Sequence, residues 1–311
     1  MVSEATIGAR YRGALLGLAA GDAVGTTLEF ARPGRFEPID DMVGGGPFHL
    51  KPGEWTDDTS MALCLAESLI ECGGFDAADQ MRRYVRWRDE GHLSATGRCF
   101  DIGNTVSRAL GRYLESGNPY AGTISGHSAG NGALMRLAPI PMRWRSVREH
   151  LLECAELSCR TTHGASEALD ACRFYALLIA AALNGADKDE LLAPDFAPVA
   201  ALIAEDRLVP AIRRIALGSY RDREPPDIRG SGYVVHTLEA ALWAFHRTDE
   251  FREGLLKVVN LGEDADTTGA VYGQLAGAYC GAEAIPREWR HKLAMADTIE
   301  SFALRLLEQA E

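Results

Sequence analysis

Basic stretches are missing from this sequence. Acidic side chains outnumber basic ones, 44 Asp and Glu against 32 Lys and Arg, and the formal net charge is −12. A field of that sign repels phosphate backbones and anionic lipid, so neither nucleic acid nor a membrane surface is expected as a partner. A small anionic substrate stays compatible, because local dipoles and bound cations override the global field. No apolar run reaches the roughly 18 residues that suggest a membrane span. The opening segment, Met1 to Gly13, lacks the apolar core of a secretory signal. Zinc-like cysteine spacing is absent as well: Cys64, Cys72, Cys99, Cys154, Cys159, Cys172 and Cys280 contain no Cys-x-x-Cys pair and are odd in number. Most lie among apolar helical residues, where a thiol acts as a small hydrophobe. Free thiols imply a reducing compartment, and the expected location is the cytoplasm.

Strand patterns are scarce too, and they never interleave with helices, which argues against a doubly wound sheet. What fills the chain is helical periodicity. It predicts helices over 9–20 (ending near Gly21), 58–71, 76–88 with Asp76 as cap, 103–115 and 132–138, the last stopping before Pro139. Further helices are expected over 146–158, 165–183, 199–204, 208–217, 233–246, 250–259, 267–280 and 294–309. The Gly/Pro-rich stretch 40–55 reads as a loop with a short hairpin, and 218–232 as a second long loop, of a length that often carries function. Hydrophobic residues make up 47% of the 311, enough for a sizeable core without disulfides. No charge block or linker divides the chain, so residues 1–311 are expected to form one all-α domain.

One internal echo stands out. Gly13-Ala14-x-x-Gly17-x-x-Ala20-Gly21 returns as Gly269-Ala270-x-x-Gly273-x-x-Ala276-Gly277. Glycines four apart line one side of a helix and let backbones approach closely. Both helices are therefore expected to be buried against neighbours.

The residues that carry chemistry are acidic. Thr56-Asp57-Asp58-Thr59 and Gly262-Glu263-Asp264-Ala265-Asp266-Thr267-Thr268 each open a predicted helix. Either cluster alone reads equally as a cap and a favourably charged helix N-terminus. Together their paired aspartates offer four carboxylates beside threonine hydroxyls, hard oxygen ligands suited to Mg²⁺ or Mn²⁺ rather than zinc. Four carboxylates in one site repel one another unless cations neutralise them, and two ions a few ångströms apart would do so. Asp101 and Asn104 lie three apart and share a helix face or the turn into it; Asp101 as a plain cap is the alternative. Gly130-Asn131-Gly132 precedes a predicted helix, where backbone N–H groups could cradle an anion or simply make a turn. Gly44-Gly45-Gly46 has no strand–loop–helix context and reads as hinge-like. No Ser-His-Asp or Cys-His arrangement is ordered by the sequence.

In order along nearly the whole chain, these motifs resemble the ADP-ribosylglycohydrolase family. They run through Gly13 to Asp22 and Gly25 with Glu29 following, Thr56-Asp57-Asp58-Thr59, Asp101 with Asn104-Thr105, Gly130-Asn131-Gly132-Ala133 with Arg136, Thr162-His163, Gly232-Tyr233, and Asp264-Ala265-Asp266-Thr267-Thr268-Gly269. The resemblance implies an orthogonal helical bundle with long loops and a pair of Mg²⁺ or Mn²⁺ ions ligated by Thr56, Asp57, Asp58, Asp264, Asp266 and Thr267. It implies hydrolysis of the N-glycosidic bond between ADP-ribose and an arginine guanidine on a protein, with ADP-ribose as product. Asp101, Asp58 and Glu29 are the implied catalytic carboxylates. Asn104, Ser128, Gly130, Asn131, Gly132, His163 and Tyr233 are the implied substrate contacts, with the diphosphate at Gly130–Gly132. A serine or O-acetyl linkage, a non-catalytic ADP-ribose binder and a di-metal phosphohydrolase fit the same residues.

Overall fold

The glycine echo turns out to be the axis of the molecule. The computed structural model describes residues 4–125 and 129–311. Its helices are α1 (Glu4–Gly25), α2 (Asp57–Cys72), α3 (Ala77–Glu90), α4 (Asn104–Ser116), α5 (Pro139–Arg143), α6 (Arg148–Arg160), α7 (Ser166–Asn184) and α8 (Lys188–Leu192). They continue as α9 (Ala197–Ala204), α10 (Pro210–Ala216), α11 (Val234–Arg247), α12 (Phe251–Val259), α13 (Ala265–Cys280), α14 (Arg287–Lys292) and α15 (Ala296–Glu308). Among the described residues there is no sheet, only isolated bridges such as Gly45 with Leu50, which is all that forms of the expected hairpin. The fold is a single all-helical domain.

Every residue from Gly13 to Thr26 and from Ala265 to Ala278 is buried. A helix without a polar face belongs in the core, and these two form it by lying antiparallel on each other. A Cβ on Gly17 would collide with the Gly273 carbonyl, and one on Gly273 with the Gly17 carbonyl; Gly13 faces Gly277 and Gly21 faces Gly269 in the same way. Backbone therefore meets backbone along just over two turns. Around this pair, α7, α11 and α12 pack on α13, α15 packs on α1 and α2, and α6 covers α7.

The helix boundaries need three corrections. α1 does not stop near Gly21 but runs on to Gly25, because contact with α13 outweighs the cost of glycine in a helix. The expected helix 132–138 is a run of turns in which Leu134 and Met135 donate to the Asn131 carbonyl at 2.8 and 3.0 Å. The helix begins where that one was expected to stop, with Pro139 in its first turn, where a missing N–H costs nothing. α8 and α14, of five and six residues, were not expected, being too short to show a period. Asp76 caps α3 as expected, accepting from Asp79 N at 2.9 Å. No helix among the described residues is long and apolar enough to cross a membrane.

Candidate active site

Antiparallel packing brings the C-terminal end of α1 beside the N-terminus of α13, and α2 starts at the same point. Asp22 thus meets Asp58 and Asp266, their oxygens all within 4.8 Å of one another. Glu29, just past α1, forms a second such group with Asp264 and Asp266. The two distant acidic stretches converge, and Asp266 is common to both groups.

Thr56 and Asp264 occupy the N-cap positions of α2 and α13, but neither caps its helix through its side chain. The Thr56 hydroxyl lies 2.9 Å from Asp22 Oδ1 and 3.1 Å from Asp58 Oδ2, and makes no cap bond to α2. Asp22 also accepts from Thr56 N at 2.8 Å, and from Thr59 N and its hydroxyl at 3.0 and 2.6 Å. Glu29 Oε2 accepts from Ala265 N at 3.0 Å, in the first turn of α13. Asp264 Oδ2 accepts from Asn131 Nδ2 at 2.8 Å, and Asn131 is itself held by Thr237 at 2.9 Å. Asp58 Oδ1 and Asp266 Oδ2 remain buried with no hydrogen-bond partner.

Those orphaned oxygens sit in a concentration of charge that water barely reaches. Burial first, then their carboxylate neighbours, holds Asp57, Asp58 and Asp266 well above the usual carboxylate range. Burial pushes Asp22 up to about 6, Asp101 to about 7 and Glu29 to about 8. Such a set cannot ionise fully at neutral pH without cations among it. Hard oxygen donors, two of them unpartnered and buried, fit divalent cations of the Mg²⁺ type.

Above the acidic floor opens a cleft of about 870 Å³. Asp57, Asp264, Asp266 and Thr267 reach it from below, and Glu29 and Asp101 from the sides. Asp101 has φ +56°, in the left-handed region, and the N-cap of α4 is Gly103; Asp101 is therefore not the cap, and Asn104, the first residue of α4, lines the cleft beside it. The facing wall is Gly130, Asn131, Gly132 and His163, with Ser231 and Gly232 from the 218–232 loop.

The glycines there are small for a reason: a Cβ on Gly132 would lie 2.9 Å from His163 Cε1. His163 is buried, and its Nδ1 is 2.8 Å from the Thr162 hydroxyl, which also takes an Arg136 N–H at 2.7 Å. Burial, then the Arg136 charge, lowers the imidazole to about 3, so the ring is neutral at ordinary pH. The anion cradle expected at a helix N-terminus has a different form. No helix follows Gly132, and the Asn131 N–H is spent on the Gly232 carbonyl at 3.3 Å.

The other expected residues are placed as follows. Thr56 and Asp58 lie beneath the cleft rather than on its wall. Tyr233 pairs with Gly130 through its backbone, but its ring is surface-exposed, edge-on to His236 at 5.1 Å, and is not part of the cleft wall. Ser128 lies outside the described residues. Sequence reasoning gave no role to Asp22, Phe30, Arg229 or Glu263, all at or beside the cleft. For Asp22 a signal existed: a lone carboxylate in the otherwise small and apolar stretch 13–25 of α1.

Comparison with known proteins agrees with this geometry. The sequence model of the ADP-ribosylglycohydrolase family matches residues 3–311. An ADP-ribosylarginine hydrolase of Pseudomonas putida is 46% identical over 305 residues, covering 97% of this chain and 78% of its own length. An ADP-ribosyl-[dinitrogen reductase] glycohydrolase of Rhodospirillum rubrum is 34% identical over 92% of this chain and 90% of its own. A solved structure described as an ADP-ribosylglycohydrolase-related protein complex superposes with a TM-score of 0.86 at 46% identity, covering 99% of this chain and 100% of that one.

Proposed function

From its membership of the ADP-ribosylglycohydrolase family, to which the chain belongs over residues 3–311, we infer that it hydrolyses the N-glycosidic bond of ADP-ribosyl-arginine on proteins. The observation that carries the reading is the convergence of Asp58 with Asp266 directly beneath a cleft whose floor Asp57, Asp264 and Asp266 line. The relatives named as arginine-directed hydrolases, at 42% and 46% identity, support the leaving group.

Thr56, Asp57, Asp58, Asp264, Asp266 and Thr267 would hold two Mg²⁺ or Mn²⁺ ions, and Asp22 fixes Thr56 and Thr59 from behind. Two carboxylate groups sharing Asp266 support a pair rather than a single ion. When bound, such cations supply neutralisation of the floor and polarisation of the ribose hydroxyls and of water. The chain's own residues do the rest. The Gly130–Gly132 wall, where Asn131 alone carries a side chain and that side chain is held by Asp264 and Thr237, receives the diphosphate, with neutral His163 and Asn104 as polar contacts. Asp101 stabilises the positive charge that develops on the ribose as the C–N bond breaks. The bonding pair leaves with the guanidine nitrogen, the water oxygen bonds to the anomeric carbon, and one water proton ends on the released guanidine. Glu29, anchored by Ala265 N–H, orients that water. Seven free cysteines support a reducing, cytoplasmic setting.

Mass spectrometry of an ADP-ribosyl-arginine peptide incubated with the protein, with and without chelator, tests the reading. Release of ADP-ribose and intact arginine, abolished by chelator and by Asp58→Asn or Asp264→Asn with helical content retained, is expected. Release of AMP would mean that the pyrophosphate is cut. Cleavage of serine-linked or O-acetyl substrates in preference to arginine would reassign the linkage, and binding without turnover would leave only a receptor.

A further inference from the structure

Two carboxylates open sideways into the cleft, and each has a phenylalanine as chain neighbour: Glu29 is followed by Phe30, and Asp101 is preceded by Phe100. Phe48, from the 40–55 loop, stands between them. Its ring centroid is 6.3 Å from that of Phe30 and 5.4 Å from that of Phe100. An aromatic row thus links the chain neighbours of the two carboxylates, and Phe30 is the one of its three rings that lines the cleft.

Phe30 is the end of the row that faces the cleft, yet it is 65% exposed. Burial cannot explain a large apolar ring left in water. Its backbone is unusual as well, with φ +60°, a conformation that bulky residues rarely adopt. Two reciprocal bonds enforce it, Phe30 N to the Glu263 carbonyl at 2.7 Å and Glu263 N to the Ala31 carbonyl at 2.8 Å. The lip is thereby stitched to the loop that leads into α13. Charge around the ring is one-sided: Glu29, Asp101 and Glu263 line the cleft there against a single cation, Arg229, which is already paired with Glu263 at 2.8 Å.

We propose that Phe30 is a specificity-determining residue whose ring stacks on the planar guanidinium of the modified arginine, with Phe48 and Phe100 backing it. The inference rests on the activity proposed above. In an ADP-ribosylated arginine, adenine and guanidine sit at opposite ends, separated by the diphosphate. Residues beside the carboxylates that attend bond cleavage therefore meet the leaving group and not the base. A guanidinium is flat, weakly hydrated and attracted to an aromatic face, and acidic neighbours add to that preference.

The test compares wild type with Phe30→Leu, Phe30→Ala and Phe30→Trp, each checked by circular dichroism for an intact fold. An arginine-linked peptide is assayed for kcat and KM, and free ADP-ribose is titrated calorimetrically. Leucine keeps apolar bulk but lacks a π face, so its kcat/KM for the arginine-linked peptide falls about tenfold, chiefly through KM. The affinity for ADP-ribose, which has no guanidinium, stays within about twofold, and Phe30→Trp retains the wild-type KM. A parallel loss of ADP-ribose affinity would overturn the proposal by placing the ring against the nucleotide. So would a leucine variant indistinguishable from wild type. Failure of the wild-type protein to cleave the arginine-linked peptide would instead remove the activity, and this proposal with it.

Discussion

Enclosed by the fold and facing Asp22, Asp264 and Asp101, the Asp58 carboxylate is held well above its ordinary range. In the absence of cations it favours the fold only while it carries a proton. That contribution is complete below the unfolded value near 4, and it is lost as pH rises through the folded one. An amide at this position has no charge to lose. In chelator, Asp58→Asn should therefore melt above wild type at pH 8, by on the order of 3 °C, with the gap narrowing towards pH 5. A gap that widens on acidification would contradict the burial argument. His163 gives a companion test. With its ring lowered to about 3 by burial and Arg136, its imidazole resonances should not titrate between pH 5 and 8, and the activity profile should carry no inflection from it. A ring that protonates near 6.5 would show that water enters behind Gly132. At this scale legibility depended on density. Paired carboxylates with threonine point to a cation site, whereas Asp22 is a single carboxylate in the apolar stretch 13–25 and acquires meaning only from Thr56 and Thr59, far away in sequence. The Tyr233 ring lies exposed against His236 and outside the cleft wall, and no local pattern encodes that.

Between elements, the decisive contact is the crossing of α1 and α13 at van der Waals distance from backbone to backbone. Gly17→Leu or Gly273→Leu must push the helices apart, because the obstruction is a carbonyl and not a side chain that can swing away. The expected cost is about 3 kcal/mol or more, measured by denaturant unfolding. Gly111→Ala makes the contrast: it lies in α4 with nothing within 4 Å of its new methyl, and should stabilise by about 0.5–1 kcal/mol. Equal effects at the two positions would refute the packing account. The repeat of glycines four apart made this contact readable, though the sequence alone did not say that the two helices were each other's neighbours. Where periodicity had fewer than two turns to act on, as in α8 and α14, nothing could be read. Pro139 misled because proline both ends and begins helices, and only the turns over 132–136 decide which.

On the scale of the whole molecule, the acidic floor is a junction of three segments distant in sequence: the end of α1 near residue 22, the start of α2 at 56–58 and the start of α13 at 264–266. Mutual repulsion works to spread them, while the glycine-lined core beneath holds them together. Cations binding at the junction would convert that repulsion into a clamp. Because the ions bind the folded arrangement and not the unfolded chain, at a hundredfold excess over the dissociation constant they add roughly 2.7 kcal/mol. The gain should be cooperative across the three segments. Hydrogen–deuterium exchange with added Mg²⁺ or Mn²⁺ should slow together at the N-termini of α2 and α13 and along 22–29. The half-buried α9, none of whose residues lines the cleft, should be unaffected, and Asp264→Asn should abolish the coupled response. Protection confined to one segment would mean that these carboxylates, although adjacent, do not share ions, and the shared role of Asp266 would then have to be abandoned.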